Sequence, residues 1–291
     1  MLNEIKYKAA TLIEALPYIQ KLRGQTVVIK YGGAAMEDPL LVESTLRDIV
    51  FLEAVGINPV IVHGGGKAIS AEMQKAGLKP EFIEGMRVTD KASIDIVDSV
   101  LSNVINPAIV DKIMRLGGKA KGLSGKDIFE ADKMWLEKTD GQKVDIGFVG
   151  EVHRVKAATL MDLIHQEIVP CISPVAKSKQ GEVYNINADV AAAQTAIAVE
   201  AKKLIFISDV NGIMLDPKDA NSVIPTLNIK EIQDLKKSGV ISGGMLPKVN
   251  SCIKALESGV EKIHLIDGRI PHSMLLEIFT DSGIGTQILK S

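Results

Sequence analysis

Five short runs along the chain are almost wholly apolar and rich in β-branched residues: VVIK (27–30), NPVIVH (58–63), EIVPCI (167–172), KLIFIS (203–208) and KIHLID (262–267). They do not alternate apolar with polar positions. Each therefore predicts a strand buried on both faces, as in a mostly parallel sheet with helices on either side. Helical spacing fills the intervals. Asp38-Pro39 predicts an N-cap followed by proline at the first helical position, opening a helix to about Ala54. Residues 66–76, 90–103, 157–166, 188–201, 230–237 and 246–257 carry the spacing of further helices.

Two stretches depart from this alternation. Residues 118–155 predict hairpin-like strands joined at Asp140-Gly141, forming a flap or small β-layer. Residues 1–22 predict a separate amphipathic helix, with Leu12, Ile13, Leu16, Ile19 and Leu22 on one side and Pro17 kinking it. A helix placed ahead of the first strand has no obvious slot in a compact α/β sheet. Packing on another subunit is the expected use for it.

Composition narrows the class. With 291 residues, 46% apolar and 24% charged, the chain can bury a sizeable core as one large or two modest domains. Aromatic residues make up 4%, which favours a helix-covered sheet over an aromatic-rich barrel and leaves little to stack on bases. The net charge of -2, with both signs dispersed, provides no broad cationic face, so nucleic acid is not an expected partner. Uncharged runs such as 54–66 fall short of the roughly 18 apolar residues a membrane span needs. Residues 1–22 include Glu4, Lys6, Lys8 and Glu14, unlike a signal-peptide core. Cys171 and Cys252 are isolated and read as small core residues. A cytoplasmic protein without a membrane partner is expected.

Two glycine-rich turns carry the candidate chemistry. Lys30-Tyr31-Gly32-Gly33 ends the first apolar run, and His63-Gly64-Gly65-Gly66 ends the second and opens a helix. Both lie at carboxyl ends of strands, where open α/β sheets bind ligands. Glycine N–H groups beside a helix dipole suit an anion such as phosphate or carboxylate. The spacing excludes more familiar loops. Gly125-Lys126 is followed by Asp127 and does not match GxxxxGK[ST]; no GxGxxG follows the first strand, and no HExxH metal spacing occurs. His63 is expected to orient or pack rather than to carry protons.

Lys30-x-Gly-Gly, His63-Gly-Gly-Gly, GMRVTD (85–90), YNINAD (184–189), SDVNG (208–212) and GGMLPK (243–248) occur in this order. In this the chain resembles the amino-acid kinase family over essentially its whole length, in particular the members that phosphorylate N-acetyl-L-glutamate. The resemblance implies an open three-layer αβα sandwich with a mostly parallel central sheet, plus an N-terminal helix. It implies an oligomerisation helix at 1–22, an acceptor lobe at 23–179, and a nucleotide lobe with an effector site at 180–291. ATP would be the donor, with Mg²⁺ held mainly by phosphates and water, since no motif offers a metal cage.

By the same resemblance, Lys30 and Lys248 neutralise the transferring phosphoryl group, Asp189 holds the two lysines, and Gly33 adds an N–H donor. Gly65, Gly66, Arg87 and Asn185 take the acceptor; Ser208, Asp209, Gly212, Met214, Gly243 and Gly244 take the nucleotide. The residue chemistry agrees. A lysine directly after Val-Val-Ile would be costly if buried and unpaired. Lys248, in a helix's first turn, opposes the dipole unless an anion is bound. Arg87 offers a planar fork for a carboxylate, and Asn185 both donates and accepts. Asp189 has an N-cap as its alternative role. An acceptor carboxyl titrating near ~4.3 is already an anion at neutral pH, so no general base is required.

Arginine-inhibited members of the family carry a helix ahead of the catalytic fold that joins dimers into a ring. Tyr18, Lys203, His264, Glu277 and Gly283 match their effector site. L-arginine as inhibitor and a homohexamer, a trimer of dimers, are therefore implied. The competing readings are another small-acid kinase, carbamate included, and a nonenzymatic amino-acid sensor. The residues name no regulatory protein partner.

Overall fold

The apolar runs lie side by side. The computed structural model describes residues 2–137, 141–216, 218–280 and 283–291. Its central sheet contains β1 (Thr26–Tyr31), β2 (Asn58–His63), β3 (Ala120–Ser124), β4 (Val169–Ser173), β5 (Lys203–Ser208), β6 (Thr226–Asn228), β7 (Lys262–Asp267) and β8 (Thr286–Leu289). Their spatial order is β6-β8-β7-β5-β1-β2-β4-β3. Every neighbouring pair is parallel except β7 with β8. The helices are α1 (Leu2–Leu22), α2 (Pro39–Ala54), α3 (Gly66–Lys75), α4 (Lys91–Arg115), α5 (Ala157–His165), α6 (Ala188–Ala198), α7 (Ile229–Lys237), α8 (Met245–Glu257) and α9 (Ser273–Ile278).

Successive strand residues point to opposite faces, and both faces are covered. Val28, Val62, Leu204 and Phe206 pack with α5, α6, α7 and α8. Val27, Ile29, Ile61 and Ile205 pack with α2, α4 and α9. The three-layer αβα architecture follows directly from these two-faced apolar strands. Asp38 caps α2 as its sequence predicts, accepting from Leu40 N at 2.8 Å and Leu41 N at 3.3 Å, with Pro39 at the first helical position.

Three expectations change. The helix expected at 90–103 continues to Arg115, passing through a wider π-turn at Val100–Ile105. Pro107 lacks an N–H, and the widened turn ahead of it accommodates that loss. By length and composition alone α4 could cross a membrane, but Ile94, Val97, Leu101, Ile109 and Ile113 are buried within the fold.

Within 118–155, β3 is a parallel edge strand rather than part of a hairpin. Its solvated positions, Lys121 and Gly122, hid it from an apolar reading. The hairpin itself pairs Phe129–Glu137 with Lys143–Val155, and it closes with Val175–Lys177 and Val183–Asn185 into a small barrel. Asp140, of the expected turn, lies outside the described residues. Finally, α1 runs unbroken through Pro17, but only its end enters the core: Leu22 is buried while Leu12 and Ile13 are each 68% exposed.

His63 closes β2 fully buried, with Nδ1 2.9 Å from Gly64 O and Nε2 3.2 Å from Asn106 Nδ2. These partners assign the proton to Nδ1, which donates to the carbonyl, while Nε2 accepts. Burial lowers its pKa from 6.5 to about 4. The folded value lies below the unfolded one, so this contribution to stability is present above pH 6.5 and is lost as pH falls toward 4. The loss should approach about 3 kcal/mol at most. Urea unfolding of His63→Asn should show a shallower fall over this window; an unchanged slope would assign the pH dependence to other groups.

Candidate active site

β1 delivers Lys30 to the carboxyl end of the sheet, and α6 and α8 bring Asp189 and Lys248 onto it. Lys248 Nζ donates to Asp189 Oδ2 at 2.8 Å. Lys30 Nζ lies 3.2 Å from Oδ1, a charge contact not aligned as a hydrogen bond, so that buried oxygen accepts none. The helix start explains the placement. Asn187 is the N-cap, its Oδ1 accepting from Asp189 N at 2.8 Å and Val190 N at 3.2 Å. Asp189 therefore sits in the first turn, where a carboxylate suits the helix N-terminus and its side chain can meet the ammoniums.

Electrostatics reinforce this arrangement. Burial alone would raise the Asp189 pKa, but the charges of Lys248 and Lys30, with the hydrogen bond from Lys248, favour its ionised form and hold it well below the usual carboxylate range. For Lys30, burial lowers the pKa, attraction to Asp189 raises it and repulsion from Lys248 lowers it again; the net shift is downward. Two ammoniums share one carboxylate, so the cluster keeps an excess positive charge.

The turn after β1 is tightly determined. Gly33 has φ of +69°, and a Cβ there would fall 2.0 Å from Asp209 Oδ1. The same carboxylate oxygen accepts from Ala34 N–H. Gly33→Ala should therefore lower kcat by about an order of magnitude or more with a near-native circular dichroism spectrum. Wild-type turnover would show that the turn need not keep this shape.

Arg87 ends a short ribbon in which Phe82–Ile83 pairs with Met86–Arg87. Its Nη2 donates to Gly66 O at 2.8 Å and Ser70 Oγ at 2.9 Å, and its Cζ lies 4.6 Å from the Phe82 ring centre. The residue is buried, which lowers its pKa, yet among the described residues no carboxylate pairs with it. Asn185 Nδ2 donates to Thr89 Oγ1 at 3.2 Å. Lys30, Gly33, Gly65, Gly66, Arg87, Asn185 and Asp189 line one cleft of about 220 Å³. Sequence reasoning did not single out Thr89 or Asn187, although both lie inside the motifs that placed their neighbours.

The six nucleotide-side residues are spread over several elements. Ser208 Oγ is buried without a hydrogen-bond partner among the described residues, and Asp209 faces the Gly33 turn. Gly244 caps α8, and its Cα would lie 3.6 Å from a Cβ on Gly85. Gly243 lines a groove with Leu246 and Pro247. Gly212 packs on Thr286, whose Oγ1 would be 2.5 Å from an added Cβ, and Met214 bridges to Val223. Packing within the 203–291 segment thus accounts for the glycine at 212.

Tyr18, Lys203, His264, Glu277 and Gly283 do meet, lining a separate cavity of about 250 Å³. His264 Nδ1 is 2.6 Å from Glu277 Oε1, and its Nε2 is 3.0 Å from Lys203 Nζ. Glu277 Oε2 accepts from Ile284 N and Gly285 N at 2.7 and 3.0 Å. A Cβ on Gly283 would fall 2.7 Å from that oxygen. Burial and then repulsion from Lys262 lower the Lys203 pKa to about 8. The His264 pKa is lowered by burial, against its hydrogen bond to Glu277.

An αβα sheet with glycine turns and paired ammoniums at its carboxyl edge is the architecture of a phosphoryl-transferring kinase. The chain belongs to the amino acid kinase family, whose sequence profile matches residues 25–267. It is 49% identical to the acetylglutamate kinase of Heliobacterium modesticaldum, over 97% of this chain and 98% of that one. It is 48% identical to the acetylglutamate kinase of Archaeoglobus fulgidus, over 95% and 97%. The structure of Neisseria gonorrhoeae N-acetylglutamate synthase, complexed with coenzyme A and N-acetyl-glutamate, matches 97% of this chain with a TM-score of 0.84 and 26% identity. This chain spans 63% of that synthase's length. Giardia carbamate kinase, 17% identical with a TM-score of 0.68, shares the fold.

Proposed function

We propose that the chain transfers the γ-phosphoryl group of ATP to the γ-carboxylate of N-acetyl-L-glutamate, giving N-acetyl-L-glutamyl 5-phosphate for arginine biosynthesis. The observation that carries this reading is Arg87, a buried guanidinium without a carboxylate partner among the described residues, in the same cleft as Lys30 and Asp189. A substrate carboxylate would supply the missing anion. The acetylglutamate kinases that match the chain end to end support the same acceptor.

In the proposed reaction an acceptor oxygen attacks the γ-phosphorus, and the β–γ bridging oxygen leaves with its electron pair on ADP. The acceptor is already ionised, so the barrier is the approach of one anion to another. Lys30 and Lys248 offset that charge, Asp189 fixes their spacing, and N–H groups of Gly33, Gly65 and Gly66 add neutral donors. Gly65, Gly66 and Arg87 from the 23–179 segment, with Asn185 from just beyond it, hold the acceptor. Ser208 and Asp209 contribute to the nucleotide side within 180–291. Mg²⁺ accompanying the nucleotide would offset phosphate charge there. The proposed setting is the cytoplasm.

Acyl phosphate trapped with hydroxylamine tests the reading, using ATP with N-acetyl-L-glutamate, L-glutamate, L-aspartate or carbamate. Product with N-acetyl-L-glutamate alone is expected. Product with a different acid and not with this one overturns the acceptor assignment, and no product with any acid favours a sensor.

We also propose that L-arginine binds the second cavity, its carboxylate meeting Lys203 and its guanidinium meeting Glu277. The N. gonorrhoeae synthase, 26% identical, has a structure complexed with L-arginine. The exposed Leu12 and Ile13 of α1 suit a helix that joins dimers into a hexamer. Deleting residues 1–22 should leave a smaller, active, arginine-insensitive enzyme; a truncated protein that light scattering still finds hexameric would sink the assembly.

A further inference from the structure

The ammonium of Lys248 has a second partner besides Asp189. Its Nζ lies 4.9 Å from the centre of the Phe206 ring. Phe206 is fully buried on β5, and β5 pairs with β1 so that Phe206 is the register partner of Lys30. Residues paired across parallel strands share a sheet face. Lys30 and Phe206 therefore stand side by side on the sheet, and the helix layer sets Asp189 and Lys248 over them. Lys30 and Lys248 divide one carboxylate between them.

We infer that Phe206 is a positioning residue, whose ring face holds the Lys248 ammonium in place for phosphoryl transfer. The physical reason lies in the charge balance. Two desolvated ammoniums repel each other; among the described residues Asp189 is the carboxylate in ion-pair contact with both, and Asp209 attracts Lys30 from farther away. A second carboxylate would neutralise the cluster and repel the incoming phosphates. An aromatic face attracts a desolvated cation through its quadrupole while adding no formal charge. Only one Lys248 N–H is taken by Asp189. The cluster thus keeps its excess positive charge for a polyanion, and the ammonium is held by two partners from different directions.

This inference rests on the proposed phosphoryl transfer, and the two fail separately: the wild-type rate with N-acetyl-L-glutamate tests the reaction, and a ring series tests Phe206. Difluoro- and pentafluorophenylalanine, placed at 206 by nonsense suppression, weaken and then reverse the negative ring face with little change of shape. The expected result is a stepwise fall in kcat reaching about 2- to 30-fold for the pentafluoro ring, with Tm held or raised. Phe206→Leu should show a comparable fall in kcat with KM for N-acetyl-L-glutamate nearly unchanged. A kcat constant across the fluorine series, or one that follows Tm rather than fluorination, overturns the assignment and leaves Phe206 as packing.

Discussion

Alanine in place of Lys30 is expected to lower kcat by roughly 10²- to 10³-fold, the scale of one lost transition-state donor. The position makes it a catalytic rather than a structural effect. Lys30 meets Asp189 only by a charge contact at 3.2 Å, whereas Lys248 holds that carboxylate by an aligned hydrogen bond at 2.8 Å. Without Lys30 the carboxylate keeps a charged partner, so the fold should survive with a thermal midpoint close to wild type. The acceptor's own contacts, on Arg87 and Asn185, are untouched, so its KM should move far less than kcat. Steady-state kinetics with acyl-phosphate detection decide the matter. A kcat within about threefold of wild type would refute the role proposed for Lys30.

Arg87→Ala should instead act through the acceptor. Hydrogen bonds to a charged group contribute about 1.5–3 kcal/mol, so kcat/KM for N-acetyl-L-glutamate should fall roughly 10- to 100-fold. Arg87→Lys should not restore it, because a single ammonium cannot reach Gly66 O and Ser70 Oγ and still present a planar face to a carboxylate. KM for ATP should change little. An Arg87→Ala enzyme with wild-type kcat/KM would show that the unpaired guanidinium serves the ribbon and not the substrate.

The central strands were legible because each is buried on both faces and carries a continuous apolar run. β6 and β8, and the ribbon that holds Arg87, were not found in this way: they are two to four residues long and carry too little pattern. β3 escaped for a different reason, since this edge strand carries solvated residues at Lys121 and Gly122 where the central strands are buried. Among the site residues, Lys30 announced itself as a charge closing an apolar strand, and Lys248 as a cation at a helix start. The reading of Asp189 as an N-cap yielded to Asn187, which differs by two positions and takes the orphan N–H groups itself. Met214 and Gly212 share a motif with Asp209, and their packing against Val223 and Thr286 joins residues that no local pattern relates.

The layered α/β architecture, the glycine turns at the carboxyl ends of β1 and β2, and the residue types available for anion chemistry are readable along the chain. Those follow from local rules: period, apolar run length, capping and backbone freedom. Long-range packing makes Lys30 and Phe206 register partners, divides Asp189 between two ammoniums, and buries Arg87 with no carboxylate partner among the described residues. These relations join residues far apart in the chain, and they depend on strand order and on the angle at which α6 and α8 cross the sheet. No period along the sequence encodes which strands become neighbours, because that choice is made by the packing of whole faces against one another.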